Sequence, residues 1–144
     1  MIKWKYWDVL TPEDNLGFIY KITNLTNGKF YIGKKVFWNN KKHKLTKKQL
    51  SELPTTPGRK PTHEVIRVES DWKTYWGSNK QLLADIKELG EDHFECLVFK
   101  VCKTKKQLTY WEMHYQCKEE VLIGSNRSYN DNILGKFFTK DLVD

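Results

Sequence analysis

The chain has 144 residues, a mass of 17.2 kDa and a formal net charge of +7, from 25 Lys and Arg against 18 Asp and Glu. Its length suits one folded domain, and its 39% hydrophobic and 14% aromatic residues exclude a disordered basic tail. The sequence has no run of about 18 apolar residues and no signal-peptide core, so we expect no membrane span and a cytoplasmic protein. The positive charge favours a polyanionic partner, with nucleic acid as the first expectation.

A β-hairpin is the first predicted element, in the segment LGFIYKITNLTNGKFYIGKK, residues 16–35. Asn27 and Gly28 lie between two apolar runs and predict a type I′ turn, which places Tyr20 opposite Lys35. In that register, one face of the hairpin carries Tyr20, Tyr31, Gly33 and Lys35. The glycine would leave open space beside the two phenols. A single tyrosine on a strand is usually half-buried packing, but this group of residues favours a functional site.

Residues 36–70 differ in composition from their surroundings, because lysines cluster there and three prolines follow. A Thr46 to Gln49 capping box predicts a short helix that ends before Pro54. The prolines and a glycine predict a loop after the helix, and the loop is followed by a predicted strand. We interpret the range 36–70 as a basic insertion in a single domain of residues 1–144.

Two helices and one strand are predicted after the insertion. Ser78 as the cap and Gly90 as the end bound the first helix, which carries an apolar stripe of Leu and Ile. The segment HFECLVFKVC, residues 93–102, is apolar on both faces and predicts a central strand. The second helix is predicted from Thr104 to about Lys118.

Three cysteines, Cys96, Cys102 and Cys117, are odd in number and have no paired spacing, which argues against a disulfide framework. Two His-x-x-Cys pairs begin at His93 and His114 and together offer four zinc ligands. Residues three apart on a strand point to opposite faces, so His93 and Cys96 make a poor half-site. We therefore favour packing and surface roles for these side chains over a zinc site.

Glu112 is an anomaly on the second of these helices. Leu108, Trp111 and Tyr115 stand at helical spacing and make an apolar stripe. Glu112 lies on the same stripe, where a carboxylate that faces the core needs compensation. Three forms of compensation are open: a Lys or Arg partner, a set of hydrogen bonds, or a bound divalent cation.

The sequence also resembles a known family. Gly17-Phe18-Ile19-Tyr20 and Tyr31-Ile32-Gly33 resemble the two halves of the GIY-YIG nuclease motif, and SYNDN at residues 128–132 resembles its closing asparagine motif. The order of the elements is similar over about residues 16–132. The likeness is greatest to phage-type stand-alone GIY-YIG endonucleases. It implies an α+β fold in which a small central antiparallel sheet of about three strands is flanked by helices.

The resemblance implies a metal-dependent DNA endonuclease that hydrolyses phosphodiester bonds with Mg²⁺ or Mn²⁺, and a phage origin would place it in the host cytoplasm. Carried over by position, its catalytic residues would be Tyr20, Tyr31, Lys34, Lys35, Arg59, His63 and Asn130, with Glu112 as the metal ligand. Arg59 and His63 match the family's Arg-x-x-x-His spacing, and Arg67 stays open as the alternative arginine. Because a tyrosine with an ordinary pKa near 10 is a poor base, we expect Lys34 or Lys35 to lower that pKa.

DNA binding is expected from basic side chains that meet phosphates. The expected DNA-binding residues are Lys41, Lys42, Lys44, Lys47, Lys48, Arg67 and Lys73. No separate reading module such as a zinc finger is recognisable. Low specificity, reading through the insertion and a separate specificity partner therefore all stay open. Cleavage of both strands would need a homodimer or two encounters.

Two other functions stay open. A non-catalytic nucleic-acid-binding protein on the same scaffold would use the same basic and aromatic side chains, but it would gain nothing from Glu112 near phosphate. A structural or interaction protein, in which the charge serves only solubility, would show no salt-dependent DNA binding.

Overall fold

The computed structural model describes residues 2, 4–6, 10–53, 58, 61–124 and 127–142. The strands, in chain order, are β1 (Trp4–Tyr6), β2 (Gly17–Asn24), β3 (Phe30–Val36), β4 (Trp38–Lys44), β5 (His63–Glu69), β6 (Phe94–Cys102), β7 (Asn132–Ile133) and β8 (Phe137–Phe138). The α-helices are α1 (Lys47–Ser51), α2 (Lys80–Leu89) and α3 (Lys105–Lys118), and three 3₁₀ helices cover Pro12–Asp14, Glu91–His93 and Thr139–Leu142. No described helix is long and apolar enough to cross a membrane.

The chain divides into two compact units. One unit comprises Met1–Phe37 together with Asp71–Asp144, and the other is Trp38–Ser70. The smaller unit lies within the range 36–70 that we interpret from the sequence as a basic insertion.

The larger unit is built on a four-stranded sheet with the strand order β1-β6-β2-β3. In this sheet β6, β2 and β3 are antiparallel neighbours, which confirms the predicted α+β fold and its central antiparallel sheet. β1 adds a fourth strand, which runs parallel to β6. The apolar residues on both faces of β6 agree with its place between two strands, and β3 is left at one edge of the sheet.

The β2–β3 hairpin does not have the predicted type I′ turn. The Asn24 N–H donates to the Lys29 carbonyl, so the loop has four residues, 25–28. The Asn24 side chain starts this loop early, because its Oδ1 accepts hydrogen bonds from the backbone and the hydroxyl of Thr26. A type I′ turn needs a positive φ at both central residues, and of the two predicted ones only Gly28 has it, at 76°.

This turn moves the pairing by two residues from the predicted register. Tyr20 lies opposite Gly33 instead of Lys35, which pairs with Phe18. Because a shift of two residues keeps every side chain on its face, Tyr20, Gly33, Lys35 and Tyr31 do share one face, as predicted.

Aromatic side chains cover this tyrosine face. Phe18 contacts the rings of Trp4 and Phe37, at centroid distances of 5.2 and 5.0 Å, and Phe37 contacts Trp72 at 5.1 Å. Tyr20 joins the cluster through Trp4 and is buried, with 1% of its surface exposed. The face that the sequence suggested to be open and polar is therefore largely a second core.

The opposite face of the hairpin packs against α3. The buried residues of this core are Ile19, Phe30, Ile32, Cys102, Leu108, Val121, Leu122 and Ile133. Trp111 and Tyr115 of the predicted stripe are partly buried against it. The helical spacing of α3 therefore identified the correct packing face.

The helix boundaries follow the predicted capping residues with one correction. Asn79, not Ser78, caps α2, because its Oδ1 accepts the Leu82 N–H at 3.0 Å. Gly90 ends α2 with a φ of 94°, as predicted, and Thr104 caps α3 by accepting the Gln107 N–H. Because Asn79 caps α2, the Ser78 hydroxyl takes no part in capping this helix and can make other contacts.

The smaller unit pairs β4 with β5 in an antiparallel ribbon, from Trp38 opposite Glu69 to Lys44 opposite His63. The predicted Thr46 capping box opens α1, and β5 was also predicted. β4 was not, because its sequence, WNNKKHK, is polar on both faces and gives no alternating pattern.

Candidate active site

A groove of about 830 Å³ opens in the larger unit along β3, the start of α2, α3 and the segment that follows residue 128. Its lining includes three predicted site residues, Tyr31, Glu112 and Asn130. Tyr31 comes from the tyrosine face of β3, whereas Glu112 belongs to the helix packed on the opposite face. The groove therefore follows the edge of β3, where groups from both faces of the sheet meet.

Tyr31 and Tyr20 occupy different positions in this site. Tyr31 lines the groove and its hydroxyl lies 3.5 Å from the Ser78 hydroxyl. Tyr20 is buried behind it, with 6.2 Å between the two ring centroids. A Cβ placed on Gly33 would lie 2.6 Å from the Tyr20 hydroxyl and 3.1 Å from Cε1 of Tyr31. The expected open space above Gly33 is thus filled by the two phenols.

The expectation that a lysine lowers the pKa of a tyrosine is wrong for this structure. Burial raises the pKa of Tyr20 well above its ordinary value, and the nearby Tyr31, Tyr75 and Glu112 raise it further. Burial also raises the pKa of Tyr31, although the hydrogen bond with Ser78 partly opposes this. Both phenols are therefore neutral at pH 7, and the Tyr31 hydroxyl, which lines the groove, can orient a ligand there.

The two lysines of β3 point to opposite sides of the strand and have different partners. Lys34 reaches the α3 side, where its Nζ lies 3.9 Å from Oε1 of Glu112 and 3.2 Å from the Thr109 hydroxyl. Lys35 shares the tyrosine face, but its Nζ lies 2.6 Å from Oδ1 of Asp71 and 3.8 Å from the Tyr75 ring centroid. Of the two predicted lysines, the structure brings Lys34 to Glu112.

Glu112 has a partner and still carries a desolvation cost. Its side chain is 14% exposed, and Lys34 offers it both a distant ammonium group and a backbone hydrogen bond. Burial nevertheless raises the pKa of Glu112, with the Lys34 charge and amide opposing the shift. Two of the open alternatives, a lysine partner and a hydrogen bond, are therefore present, and they compensate the carboxylate only in part.

Asn130 and Gln116 both bind the backbone of Ile32 at the edge of β3. The Asn130 amide accepts the Ile32 N–H at 3.0 Å and donates to the Ile32 carbonyl at 2.8 Å. Gln116 Nε2 donates to the same carbonyl at 3.0 Å. Asn130 therefore holds the strand that carries Tyr31.

The site fits a hard divalent cation better than zinc. Mg²⁺ prefers oxygen ligands and is commonly held by one or two carboxylates together with waters and substrate phosphate. Glu112 supplies an under-compensated carboxylate, and the Oε1 atom of Gln116 is buried without a hydrogen-bond partner in the described part of the chain. Within the same residues, no three His, Cys, Asp or Glu side chains cluster as metal ligands, so the structure does not group the side chains of the two His-x-x-Cys pairs.

The remaining predicted site residues lie in the smaller unit, on the surface of the larger unit or outside the described residues. Arg59 lies outside the described residues. His63 and Arg67 belong to β5 of the smaller unit, where His63 Nδ1 lies 2.9 Å from the Thr62 hydroxyl and Arg67 stacks 4.2 Å from the Trp38 ring. The lysines at the predicted DNA-binding positions are exposed: Lys41, Lys42 and Lys44 on β4, Lys47 and Lys48 on α1, and Lys73 in the larger unit.

Sequence reasoning missed Gln116 and a polar network around Tyr129. Gln116 lies one turn after Glu112 on the same helical face, so the rule that singled out Glu112 would have found it too. The Tyr129 hydroxyl donates to Asp85 at 2.6 Å and accepts from Asn24 at 3.0 Å. This network joins α2, the end of β2 and the SYNDN segment, and no local pattern indicates it.

One of three comparisons with known proteins found a match to this chain. A family model described as "Putative endonuclease segE, GIY-YIG domain" matches residues 1–133. Searches of curated proteins and of solved structures found no match. The family match covers the four-stranded sheet, both long helices and every groove residue discussed above. The chain therefore belongs to the GIY-YIG nuclease family, in the segE endonuclease group that this model describes.

Proposed function

We propose that this protein is a DNA endonuclease that hydrolyses phosphodiester bonds with a divalent metal ion, Mg²⁺ or Mn²⁺, held at Glu112. Family membership supports the endonuclease activity. The observation that carries the metal assignment is the partly buried, partly compensated carboxylate of Glu112 in a groove shared with Tyr31. A nuclease groove has a use for such a carboxylate, whereas a purely binding surface for phosphate does not.

Each groove residue has a role that its environment allows. When bound, the ion would supply positive charge to the scissile phosphate and to the attacking water. Tyr31, as a neutral phenol, would orient that water or a phosphate oxygen through its hydroxyl. Lys34, whose Nζ lies 3.9 Å from Oε1 of Glu112, would offer its ammonium group to a phosphate oxygen.

Tyr20 and Asn130 would act as positioning residues. Tyr20 packs behind Tyr31 and fixes the ring that faces the groove. Asn130 fixes the backbone of Ile32, which is the next residue along the strand. Neither role needs direct contact with DNA.

The first test is cleavage of supercoiled plasmid at low salt with Mg²⁺, with Mn²⁺ and with EDTA. We expect metal-dependent conversion to open-circle or linear DNA by the wild-type protein, and a loss of at least about 100-fold in Glu112→Gln. Glu88→Gln removes the same charge from an exposed position on α2 and serves as the matched control. Open-circle product would indicate nicking, and direct linear product would indicate paired cuts.

Two results would contradict the proposal. Cleavage that persists in EDTA would remove the metal from the mechanism. A wild-type protein that retards the plasmid but leaves it supercoiled with every ion would favour the non-catalytic binding function, in which the aromatic and basic side chains only hold DNA.

A further inference from the structure

Gln116 carries a buried oxygen atom that the fold itself does not use. The residue is 5% exposed, and its Oε1 has no hydrogen-bond partner among the described residues. An acceptor buried in this way costs free energy unless a donor or a cation reaches it. The oxygen is therefore the end of the Gln116 amide that the described fold leaves without a partner.

The orientation of the Gln116 amide is fixed by its other end. Nε2 donates to the Ile32 carbonyl at 3.0 Å, and the same carbonyl accepts from Asn130. If the amide were turned over, Oε1 would face a carbonyl oxygen, and the two acceptors would repel each other. The unpartnered atom is therefore the oxygen, held away from Ile32 by a hydrogen bond that the rest of the edge reinforces.

The groove provides a reason for an unpartnered acceptor there. Gln116 follows Glu112 by one helical turn, so the two side chains are neighbours on one face of α3, and both line the groove. Two acceptor groups one helical turn apart in the lining of one groove suit a ligand that offers only positive charge or only donors. A hydrated divalent cation does this, because its waters point their protons outward.

We propose that Gln116 is a second oxygen donor of the cation site, acting through Oε1 on the ion that Glu112 holds or on a water of that ion. This inference rests on the proposed function, since it needs a cation at Glu112. It adds that the site is built from two residues of one helix, a carboxylate and a carbonyl, and that β3 fixes the second one.

The test is Mn²⁺ binding to the full chain, measured by electron paramagnetic resonance and by calorimetry in the absence of DNA. We expect Gln116→Met, which keeps the length of the side chain but removes both polar atoms, to weaken Mn²⁺ binding about tenfold. Gln81→Met is the matched control, because Gln81 also lines the groove but is exposed. It should bind Mn²⁺ as the wild type does.

Gln116→Glu separates the proposed role from a structural one. This variant keeps an oxygen acceptor but loses the Nε2 donor to Ile32, so both Gln116 variants should lower the thermal stability of the metal-free protein. Only Gln116→Met should lose Mn²⁺ affinity. If Gln116→Glu and Gln116→Met lose affinity alike, the residue acts on the strand alone and the proposal is overturned.

Glu112→Gln distinguishes the failure of this inference from the failure of the proposed function. Loss of Mn²⁺ binding in Glu112→Gln, with wild-type affinity in Gln116→Met, would overturn the Gln116 inference and leave the metal site at Glu112 in place. Wild-type protein that leaves the Mn²⁺ spectrum unchanged at millimolar concentrations, or that binds as well after Glu112→Gln, would overturn both.

Discussion

The side chain of Asn130 takes the place of a neighbouring strand at Ile32, on the outer edge of β3. Its side-chain amide accepts the Ile32 N–H and donates to the Ile32 carbonyl, the two bonds that a neighbouring strand would make. Since β3 is an edge strand, these groups would otherwise face the groove and be open to pairing with other chains. The closing asparagine of the family motif therefore completes the sheet at the point where the site is built.

We expect Asn130→Ala to lower the free energy of unfolding by about 2 kcal/mol, because two buried hydrogen bonds are lost and Ile32 is left under-satisfied. Urea denaturation measures this change, and hydrogen exchange at the Ile32 amide locates it. Asn132→Ala is the control, because the amide of Asn132 bonds only at exposed positions. Unchanged exchange at Ile32 would show that the bond from Asn130 is not what protects the strand.

Gly33→Ala should disturb both tyrosines, because the added methyl group would lie 2.6 Å from the Tyr20 hydroxyl and 3.1 Å from the Tyr31 ring. We expect a loss of about 1–3 kcal/mol in stability and a lower rate of DNA cleavage. A double-mutant cycle with Tyr20→Phe tests the cause. Removing the hydroxyl relieves the closest contact, so the double variant should be more stable than the sum of the two single effects predicts. Strict additivity would place the strain elsewhere.

Glu112→Gln should lose activity and gain stability. Burial raises the pKa of Glu112, so the folded protein binds this proton more tightly than the unfolded chain does. The unfavourable ionisation is complete above the folded pKa and disappears as the pH falls below the unfolded value. Without divalent ions, we therefore expect the variant to be more stable than the wild type by about 0.5–1 kcal/mol at neutral pH.

The pH dependence checks this assignment. The stability difference between Glu112→Gln and the wild type should shrink as the pH is lowered, because the wild-type carboxyl then becomes neutral as well. Thermal unfolding of both proteins in EDTA across the acidic range measures it. A variant that is less stable than the wild type at neutral pH, with a deficit that disappears at low pH, would mean that the ionised carboxylate stabilises the fold, against the direction of its pKa shift.

The three cysteines should differ in reactivity. Cys96 is 2% exposed and burial raises its pKa to about 12, so it has almost no thiolate at pH 8. Cys102 is buried as well, whereas Cys117 is exposed. We expect iodoacetamide at pH 8 to modify Cys117 alone in the native protein and all three thiols in denaturant, as read by peptide mass spectrometry. Native labelling of Cys96 would show that β6 opens locally.

Strong local patterns predicted much of the fold. The alternation in β2 and β3, the apolar run of β6 and the capped stripe of α3 each depend on neighbouring residues, and the structure confirms all four elements. β1 was missed because three residues carry no period and its partner, β6, is far along the chain. The hairpin register failed for a different reason, since the Asn24 side chain accepts hydrogen bonds from Thr26 and starts the loop before Asn27.

The candidate site was predictable to the extent that its residues break a local pattern. Glu112 was found because it interrupts an apolar stripe, and Gln116 could have been found in the same way. Asn130 came from the resemblance alone, because its bonds to Ile32 join distant segments. The pKa of Tyr20 could not be anticipated, since its burial depends on an aromatic cluster that includes Trp4. Chemistry that depends on burial needs the fold to be known first.

In the larger unit, side-chain contacts join the segment where the chain leaves, at Phe37, to the segment where it returns, at Asp71. Phe37 packs against Trp72, and Lys35 forms an ion pair with Asp71. Within the smaller unit, Trp38 and Glu69 are partners on the ribbon, so its two ends also lie side by side. In each unit, therefore, the two chain ends at the boundary lie side by side. A few turn residues could connect them at little entropic cost. We expect the larger unit to keep its fold when a short turn joins Phe37 directly to Asp71, since every residue that lines the groove belongs to that unit.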